Sequence, residues 1–158
     1  MNDDNLLGTI FSEELKELMV ISYIVLGNNA VTNRFIERRF RMPVQAWSAL
    51  YAINRFPGLR AKEIRLLFPR PQNTISRAVA LLENRGLILQ ETSESDGREK
   101  RLHVTDAGRV LLAEMTAASK RRQEELLSPL TAEERTAFFA LVRKVAAGPK
   151  LLASAVMR

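Results

Sequence analysis

Two short amphipathic segments joined by a proline-bounded connector constrain the fold more than any other feature of this sequence. In residues 71–85 the apolar positions recur at i, i+3, i+4 and i+7, which predicts a helix with one narrow buried stripe. The stripe comprises Ile75, Ala78, Val79 and Leu82. Residues 60–68 predict a shorter helix, and Pro69 and Pro71 favour a tight turn between the two. Two helices connected in this way form a helix-turn-helix unit.

A β-hairpin is predicted directly after the second helix of this unit. Gly86 can adopt the positive φ that commonly ends a helix. Residues 87–92 and 100–105 have the character of strands, and the polar segment 93–99 between them forms the tip. A hairpin that follows a helix-turn-helix unit makes a wing, so the expected architecture is a winged helix-turn-helix.

Further helices are expected on both sides of this unit. Apolar spacing and helix-start residues predict them at 12–39, 43–56, 106–127 and 131–148. Ser12, Thr105 and Thr131 are candidate N-cap residues, because a side-chain oxygen there accepts from a free backbone N–H. The expected fold class is therefore mainly α with a small β-hairpin.

The composition favours a binding protein over an enzyme. The chain has 24 Lys and Arg against 18 Asp and Glu, a formal net charge of +6 that suits a polyanionic partner. It has no cysteine and a single histidine, His103, which excludes disulfides, thiolate nucleophiles and the usual zinc sites. We therefore expect no catalytic residue, no metal site and no cofactor.

The sequence also favours a cytoplasmic location. No segment has the roughly 18–20 consecutive apolar residues of a membrane span. The first five residues include two acidic and no basic side chains, whereas a secretory signal begins with basic residues. We expect no contact with a membrane.

The start of the second helix of the helix-turn-helix carries residue types that recognise DNA. If the apolar stripe faces inward, the 100° rotation per residue turns Asn73 and Arg77 outward, with Thr74 and Ser76 on the flanks. Arg77 can donate two hydrogen bonds to a guanine, and Asn73 suits an adenine or a phosphate. The candidate DNA-binding residues are Gln72, Asn73, Thr74, Ser76 and Arg77. The same pattern also fits an ordinary solvated helix face.

The hairpin tip carries cations that suit a DNA-binding wing. Arg98, Lys100 and Arg101 can contact the DNA backbone or enter the minor groove. Asp96 is expected to orient Arg98, because a carboxylate that faced phosphates would be repelled. The alternative for this segment is an ordinary charged turn.

These residues together resemble the MarR family of bacterial transcriptional regulators over residues 42–108. The wing carries the strongest match, at Gly86, Leu87, Ile88, Asp96, Arg98, Leu102, Thr105 and Gly108. Upstream, the matching positions are Gln45, Ala46, Trp47, Leu50, Thr74, Ser76, Arg77, Leu82 and Glu83. The chain departs from the family pattern at Ile64 and Arg65, where Leu-Ala is common, and in its two turn prolines.

The resemblance implies a homodimer that binds sequence-specifically to double-stranded DNA, as a repressor on a pseudo-palindromic operator. It divides the single domain, 1–158, into a helical dimerisation lobe (12–41 and 106–158) and a winged helix-turn-helix lobe (42–105). The sequence itself agrees, because the last helix is apolar over much of its circumference. A monomeric core and a winged-helix protein-interaction module are the alternatives. An interaction module would keep its partner after Arg77→Ala.

Members of the family often bind small aromatic or phenolic ligands between the lobes, which lowers their affinity for DNA. In this chain Trp47 and Tyr51 could supply aromatic walls, and Arg39 a partner for a carboxylate. A Trp and a Tyr at helical spacing also fit a helix that contributes to the core. The family's thiol-based peroxide sensing cannot operate here, because the chain has no cysteine.

Overall fold

The chain is mainly helical, with one small antiparallel sheet. The computed structural model describes residues 3–92 and 100–153. In chain order the elements are α1 (Asp3–Ile10), α2 (Lys16–Phe40), α3 (Val44–Arg55), α4 (Ala61–Leu67), α5 (Gln72–Asn84), β1 (Ile88–Thr92), β2 (Lys100–Val104), α6 (Asp106–Leu126) and α7 (Ala132–Ala146). The expected fold class is confirmed. The chain divides into two compact units, Met1–Thr116 and Ala117–Arg158.

One hydrophobic core organises the first unit. Its largest fully buried side chains are Leu50, Ile53, Ile64, Ile75, Leu82, Leu102 and Met115. They come from α3, α4, α5, β2 and the first half of α6, so both helices of the helix-turn-helix and the second strand of the hairpin contribute. Burial of one such side chain stabilises the fold by about 1.5–3 kcal/mol.

Helix α5 buries the four positions that its sequence pattern predicts. Ile75, Ala78, Val79 and Leu82 are at most 6% exposed. The helix ends at Asn84, and Gly86 has a φ of 66°, as expected of the residue that turns the chain away from a helix. The opposite face of α5 is consequently turned to solvent.

The N-terminal region differs from the expectation. The helix predicted at 12–39 corresponds to α2, but α2 begins at Lys16 with Leu15 as an N-cap that makes no side-chain hydrogen bond, and the separate helix α1, which ends at Ile10, was not predicted. The Ser12 hydroxyl instead donates to the carbonyl of Thr9 at 2.8 Å. Ser12 therefore satisfies a carbonyl at the end of α1 and does not cap α2.

The hairpin is fixed to the loop between α3 and α4. β1 pairs with β2 in a register that places Ile88 opposite Val104 and Thr92 opposite Lys100. Leu102 extends this ladder, because its carbonyl accepts from the N–H of Gly58 and its N–H donates to the carbonyl of Leu59. The base of the wing is thus hydrogen-bonded on both sides, while its tip, 93–99, lies outside the described residues.

The second unit consists of the end of α6 and helix α7. Thr131 caps α7 as predicted: its side chain accepts from the N–H of Glu134, and the Glu134 carboxylate accepts from the N–H of Thr131. Arg135 donates to the Leu127 carbonyl and pairs with Glu124, which lowers the pKa of that carboxyl. None of the residues of α7 is buried.

Within the described part of the chain, no helix is both long enough and apolar enough to cross a membrane.

Candidate nucleic-acid interface

The first two turns of α5 present a polar, basic surface to solvent. Gln72, Asn73, Ser76 and Arg77 are exposed, and Thr74 is half-buried. All five lie before or between the buried residues of α5, so the packing of those residues in the core fixes the direction in which the five side chains point. The backbone N–H groups of the first turn lie at the same end, where a helix favours an anion, and that of Thr74 donates to the Asn73 side-chain oxygen at 2.8 Å.

Local hydrogen bonds organise part of this surface. The Ser76 hydroxyl donates to the carbonyl of Gln72 at 3.1 Å, and the Gln72 side-chain oxygen accepts from Arg65 at 3.3 Å. Arg65 therefore links α4 to the start of α5, a role that its departure from the family pattern did not reveal. Within residues 3–92 and 100–153, Arg77 has no hydrogen bond or ion pair to another side chain, so its donors are available.

The three wing cations differ in what the structure shows of them. Arg98 and its predicted partner Asp96 lie outside the described residues. Lys100 is exposed at the first position of β2. Arg101 is half-buried, and its guanidinium donates to the carbonyl of Gly58 at 3.3 Å. The structure thus places Arg101 at the base of the wing, against the loop between α3 and α4.

A charged cluster supports the same loop. The Glu63 carboxylate accepts from the backbone N–H of Arg60 at 2.9 Å and from the Arg60 guanidinium. These hydrogen bonds, with smaller contributions from the charges of Arg60 and Arg101, lower the pKa of Glu63 from 4.5 to about 2. The cluster caps α4 and holds it beside the wing.

The three candidate ligand-binding residues fall into two places. The rings of Trp47 and Tyr51 are adjacent, with centroids 6.0 Å apart; Trp47 is half-buried and Tyr51 is 45% exposed. The Trp47 Nε1 atom is buried with no hydrogen-bond partner among the described residues. Arg39 instead binds Glu114 through Nε and Nη2, at 2.9 and 2.6 Å.

Arg39 also lines an open groove along α2. The groove has a volume of about 520 Å³ and is lined by Val31, Arg34, Phe35, Arg38 and Arg39. Among the described residues, neither Trp47 nor Tyr51 contributes to this lining. The structure therefore brings the two aromatic candidates together and places Arg39 in a separate, strongly basic groove.

The chain is similar to known transcriptional regulators in sequence and fold. Residues 40–99 match the model of the MarR family. A crystal structure of MarR is 26% identical, with a TM-score of 0.67, over 85% of this chain and 96% of that one. The PcaV transcriptional regulator of Streptomyces coelicolor is 25% identical, with a TM-score of 0.65, over 81% and 93%.

Two further solved structures show the same likeness in fold. A MarR-family regulator from Silicibacter pomeroyi has a TM-score of 0.73 at 23% identity, over 84% of this chain and 88% of that chain. PcaV in complex with its natural ligand has a TM-score of 0.68 at 23% identity, over 87% and 94%. Both alignments cover more than four fifths of the chain.

Proposed function

Because residues 40–99 match the MarR family in sequence, we propose that the protein is a homodimeric transcriptional repressor that binds a pseudo-palindromic site in double-stranded DNA. The observation that carries the proposal is the arrangement of α5. Its outward face starts with exposed polar and basic side chains, directly opposite a fully buried stripe. A helix of this kind fits the major groove with its N-terminal residues towards the base edges.

The roles of the α5 residues follow from their chemistry and exposure. Arg77, exposed and unpaired among the described residues, donates two hydrogen bonds to O6 and N7 of a guanine. Asn73 reads an adenine or holds a phosphate, and the hydroxyls of Thr74 and Ser76 bind phosphate oxygens. Gln72, which Arg65 holds by its side-chain oxygen, lies beside the phosphate site at the helix start. In the wing, Arg98 and Lys100 add contacts to the DNA backbone or the minor groove.

Two sets of exposed apolar side chains support a dimer. On α2 and the segment before it, the set includes Leu15, Leu18, Ile21, Tyr23, Ile24, Val25, Leu26, Val31 and Phe35, each more than 40% exposed. On α7 it comprises Phe138, Phe139, Leu141, Val142 and Val145. Soluble monomers rarely expose contiguous apolar patches larger than a few hundred Å². A second copy of the chain, packed on these helices, would cover both sets.

A small aromatic or phenolic ligand is the proposed releasing signal. The adjacent rings of Trp47 and Tyr51 and the buried, unpartnered Trp47 Nε1 provide two aromatic walls and one hydrogen-bond donor. Arg39, whose Nε and Nη2 donate to Glu114, would supply the partner for a carboxylate of such a ligand. A ligand that binds more tightly to a dimer conformation that does not fit the operator favours that conformation. It thereby lowers the affinity of the protein for the operator.

Binding of the purified protein to DNA tests the proposal. Fluorescence anisotropy with sheared genomic DNA, and then with the region upstream of the gene, is measured across a salt series. The mass of the protein is recorded by light scattering. We expect a dimer whose affinity falls steeply with salt and is higher for the upstream fragment. Absent or salt-insensitive binding would favour the alternative function.

That alternative is a winged-helix protein-interaction module. Leu66 on α4 is 82% exposed and Leu67 is 43% exposed, an apolar pair on the flank of the helix-turn-helix that a protein partner could cover. An interaction module would bind its partner equally well as the wild type and as Arg77→Ala. A repressor would lose DNA affinity in the same variant.

A further inference from the structure

A single arginine joins the end of α5 to the end of α2. Arg85, the C-cap residue of α5, donates from Nη1 to the carbonyl of Phe40 at 2.9 Å and, more weakly, to that of Arg41 at 3.4 Å. Phe40 is the last residue of α2, and Arg41 ends the helix in the left-handed conformation, with φ 52°. The guanidinium therefore binds the carbonyl end of α2, where the helix lacks internal partners and its dipole attracts a cation.

Helix α2 connects two different environments. Near its C-terminal end Ile36, Phe40 and the following Met42 are at most 5% exposed, because they belong to the core beneath α5, the proposed recognition helix. Its preceding turns expose the apolar side chains that the proposed dimer would cover. The direction of α2 relative to α5 thus determines where each recognition helix lies in a dimer.

Arg85 supplies a direct polar link between these two helices. Both α2 and α5 also pack against α3, which sets their approximate arrangement through apolar contacts. Apolar contacts tolerate small rotations, whereas a charged hydrogen bond to a particular carbonyl is directional. The link is also removable without a cavity in the core, because the Arg85 side chain lies at the surface.

From this geometry we infer that Arg85 is a positioning residue, which fixes the angle between α2 and α5 and hence the distance between the two recognition helices of the dimer. The inference rests on the proposed function. Arg85 acts on the DNA-reading residues only indirectly, because it sets the position of α5, the helix that carries them. Its loss should therefore change the spacing of half-sites that the dimer accepts and leave the bases read within each half-site unchanged.

The absence of cysteine permits a direct test without DNA. Ala80, exposed on the outward face of α5, is replaced by cysteine, so that each protomer carries one nitroxide label. Pulsed electron spin resonance then measures the distance between the two labels across the dimer. Loss of a charged hydrogen bond should raise the fraction of dimers with a displaced distance about tenfold in Arg85→Ala. Arg85→Lys, which keeps the charge and N–H donors but lacks the planar guanidinium, should restore part of the wild-type distribution.

Arg121→Ala is the matched control. Arg121 is an exposed cation on α6, and its replacement removes the same charge. The urea midpoints of all variants are compared, since a general loss of stability would shift the midpoint without a change in the distances. If Arg85→Ala and Arg121→Ala give the same distance distribution, or if the protein is a monomer, the inference is wrong.

Duplexes with two identical half-sites, selected with the wild-type protein, complete the test. The centre-to-centre spacing is varied by one base pair in each direction. Wild-type protein and Arg121→Ala should prefer one spacing by about tenfold over its neighbours, whereas Arg85→Ala should lose most of this preference. A uniform loss of affinity at every spacing would overturn the inference. Failure of the wild type to bind DNA would refute the proposed function instead, and the label distances would still decide whether Arg85 sets the helix spacing.

Discussion

The side-chain hydroxyl of Thr105 donates a hydrogen bond to the backbone carbonyl of Gly86, with 2.7 Å between the two oxygen atoms. The same hydroxyl accepts from the N–H of Gly108 at 3.1 Å, and the N–H of Thr105 donates to the carbonyl of Leu87 at 3.1 Å. The chain therefore enters and leaves the hairpin at one joint. The glycine and threonine positions that carry the MarR resemblance are the parts of this joint.

Gly108→Ala should strain the joint severely. A Cβ atom at this position would lie 2.1 Å from the Leu87 carbonyl oxygen and 2.9 Å from Cγ1 of Val104. The carbonyl cannot move away without loss of its hydrogen bond from Thr105. We expect the free energy of unfolding to fall by about 2–3 kcal/mol, as for an overpacked core, measured by urea denaturation.

Gly27→Ala is the control for this variant. Apart from the adjacent residues and the backbone of the helix itself, nothing in the described residues lies within 4 Å of the position that a Cβ would occupy at Gly27, in the middle of α2. Alanine is the better helix former, so this change should stabilise the protein by about 0.5–1 kcal/mol. Equal effects of the two substitutions would show that the contact with Leu87 does not restrict position 108.

Glu63→Gln should make stability less dependent on pH in the acidic range. Hydrogen bonds from Arg60 lower the pKa of Glu63 in the folded protein to about 2, below its ordinary value of 4.5. The ionised form therefore stabilises the fold fully above about pH 4.5, and this contribution disappears as the pH falls towards 2. For a pair that remains partly exposed, we expect a deficit of about 1 kcal/mol in the variant at pH 7.

Urea unfolding at several pH values measures this effect. The difference between the wild type and Glu63→Gln should shrink steadily below pH 4.5. Glu13→Gln, at an exposed position before α2, serves as the matched control and should show no comparable deficit at pH 7. A constant difference across the whole range would mean that the carboxylate charge does not contribute.

The helix-turn-helix was predictable because its signals are local. The four apolar positions of α5 fall on one helical stripe, and all four are buried in the structure. Gly86 follows directly and has the positive φ that its position predicts. Periodicity and turn chemistry depend on neighbours within one or two turns of chain, so a single sequence contains them.

Two other features could not be predicted, because each depends on which of several possible partners a residue contacts in the folded protein. The sequence predicted no helix before residue 12 and placed the start of the first helix at Ser12, whereas α1 ends at Ile10 and α2 begins at Lys16. Ser12 can serve either helix, and its hydroxyl binds the carbonyl of Thr9. The position of Arg101 in β2 fits that of a wing cation. Its partner, the carbonyl of Gly58, is distant in sequence and comes close only in the folded unit.

Lys100 and Arg101 should have different effects on DNA binding. Lys100 is exposed, so its loss should remove about one phosphate contact and reduce the salt slope, log K against log[salt], by about 1. The Arg101 guanidinium donates to Gly58, so its replacement by alanine should weaken binding at every salt concentration without a change in the slope. Anisotropy titrations from low to high salt measure both. A reduced slope for Arg101→Ala would show that this residue contacts phosphate.

Arg77→Ala should relax sequence preference as well as weaken binding. Removal of a bidentate guanine contact costs about 1–3 kcal/mol, and the loss is confined to duplexes that carry the preferred base. Asn84→Ala, at the far end of the exposed face of α5, is the matched control and should leave both quantities unchanged. Competition titrations with single-base variants of the selected site measure the preference. Equal losses on all variants would assign Arg77 to the phosphate backbone.

Leu18→Glu should separate the proposed dimer. Leu18 is 56% exposed on α2, in the apolar set that a second copy of the chain would cover. A charge buried at such an interface without a partner costs several kcal/mol, enough to move a micromolar or tighter dimer to monomer at working concentrations. Light scattering should then give the 17.9 kDa mass of one chain, where the wild type gives twice that value.

Leu66→Glu makes the same change at a position 82% exposed on α4, and this variant should remain a dimer. If instead Leu66→Glu dissociates the protein and Leu18→Glu does not, the two copies associate through the flank of the helix-turn-helix, and the exposed face of α2 has another partner.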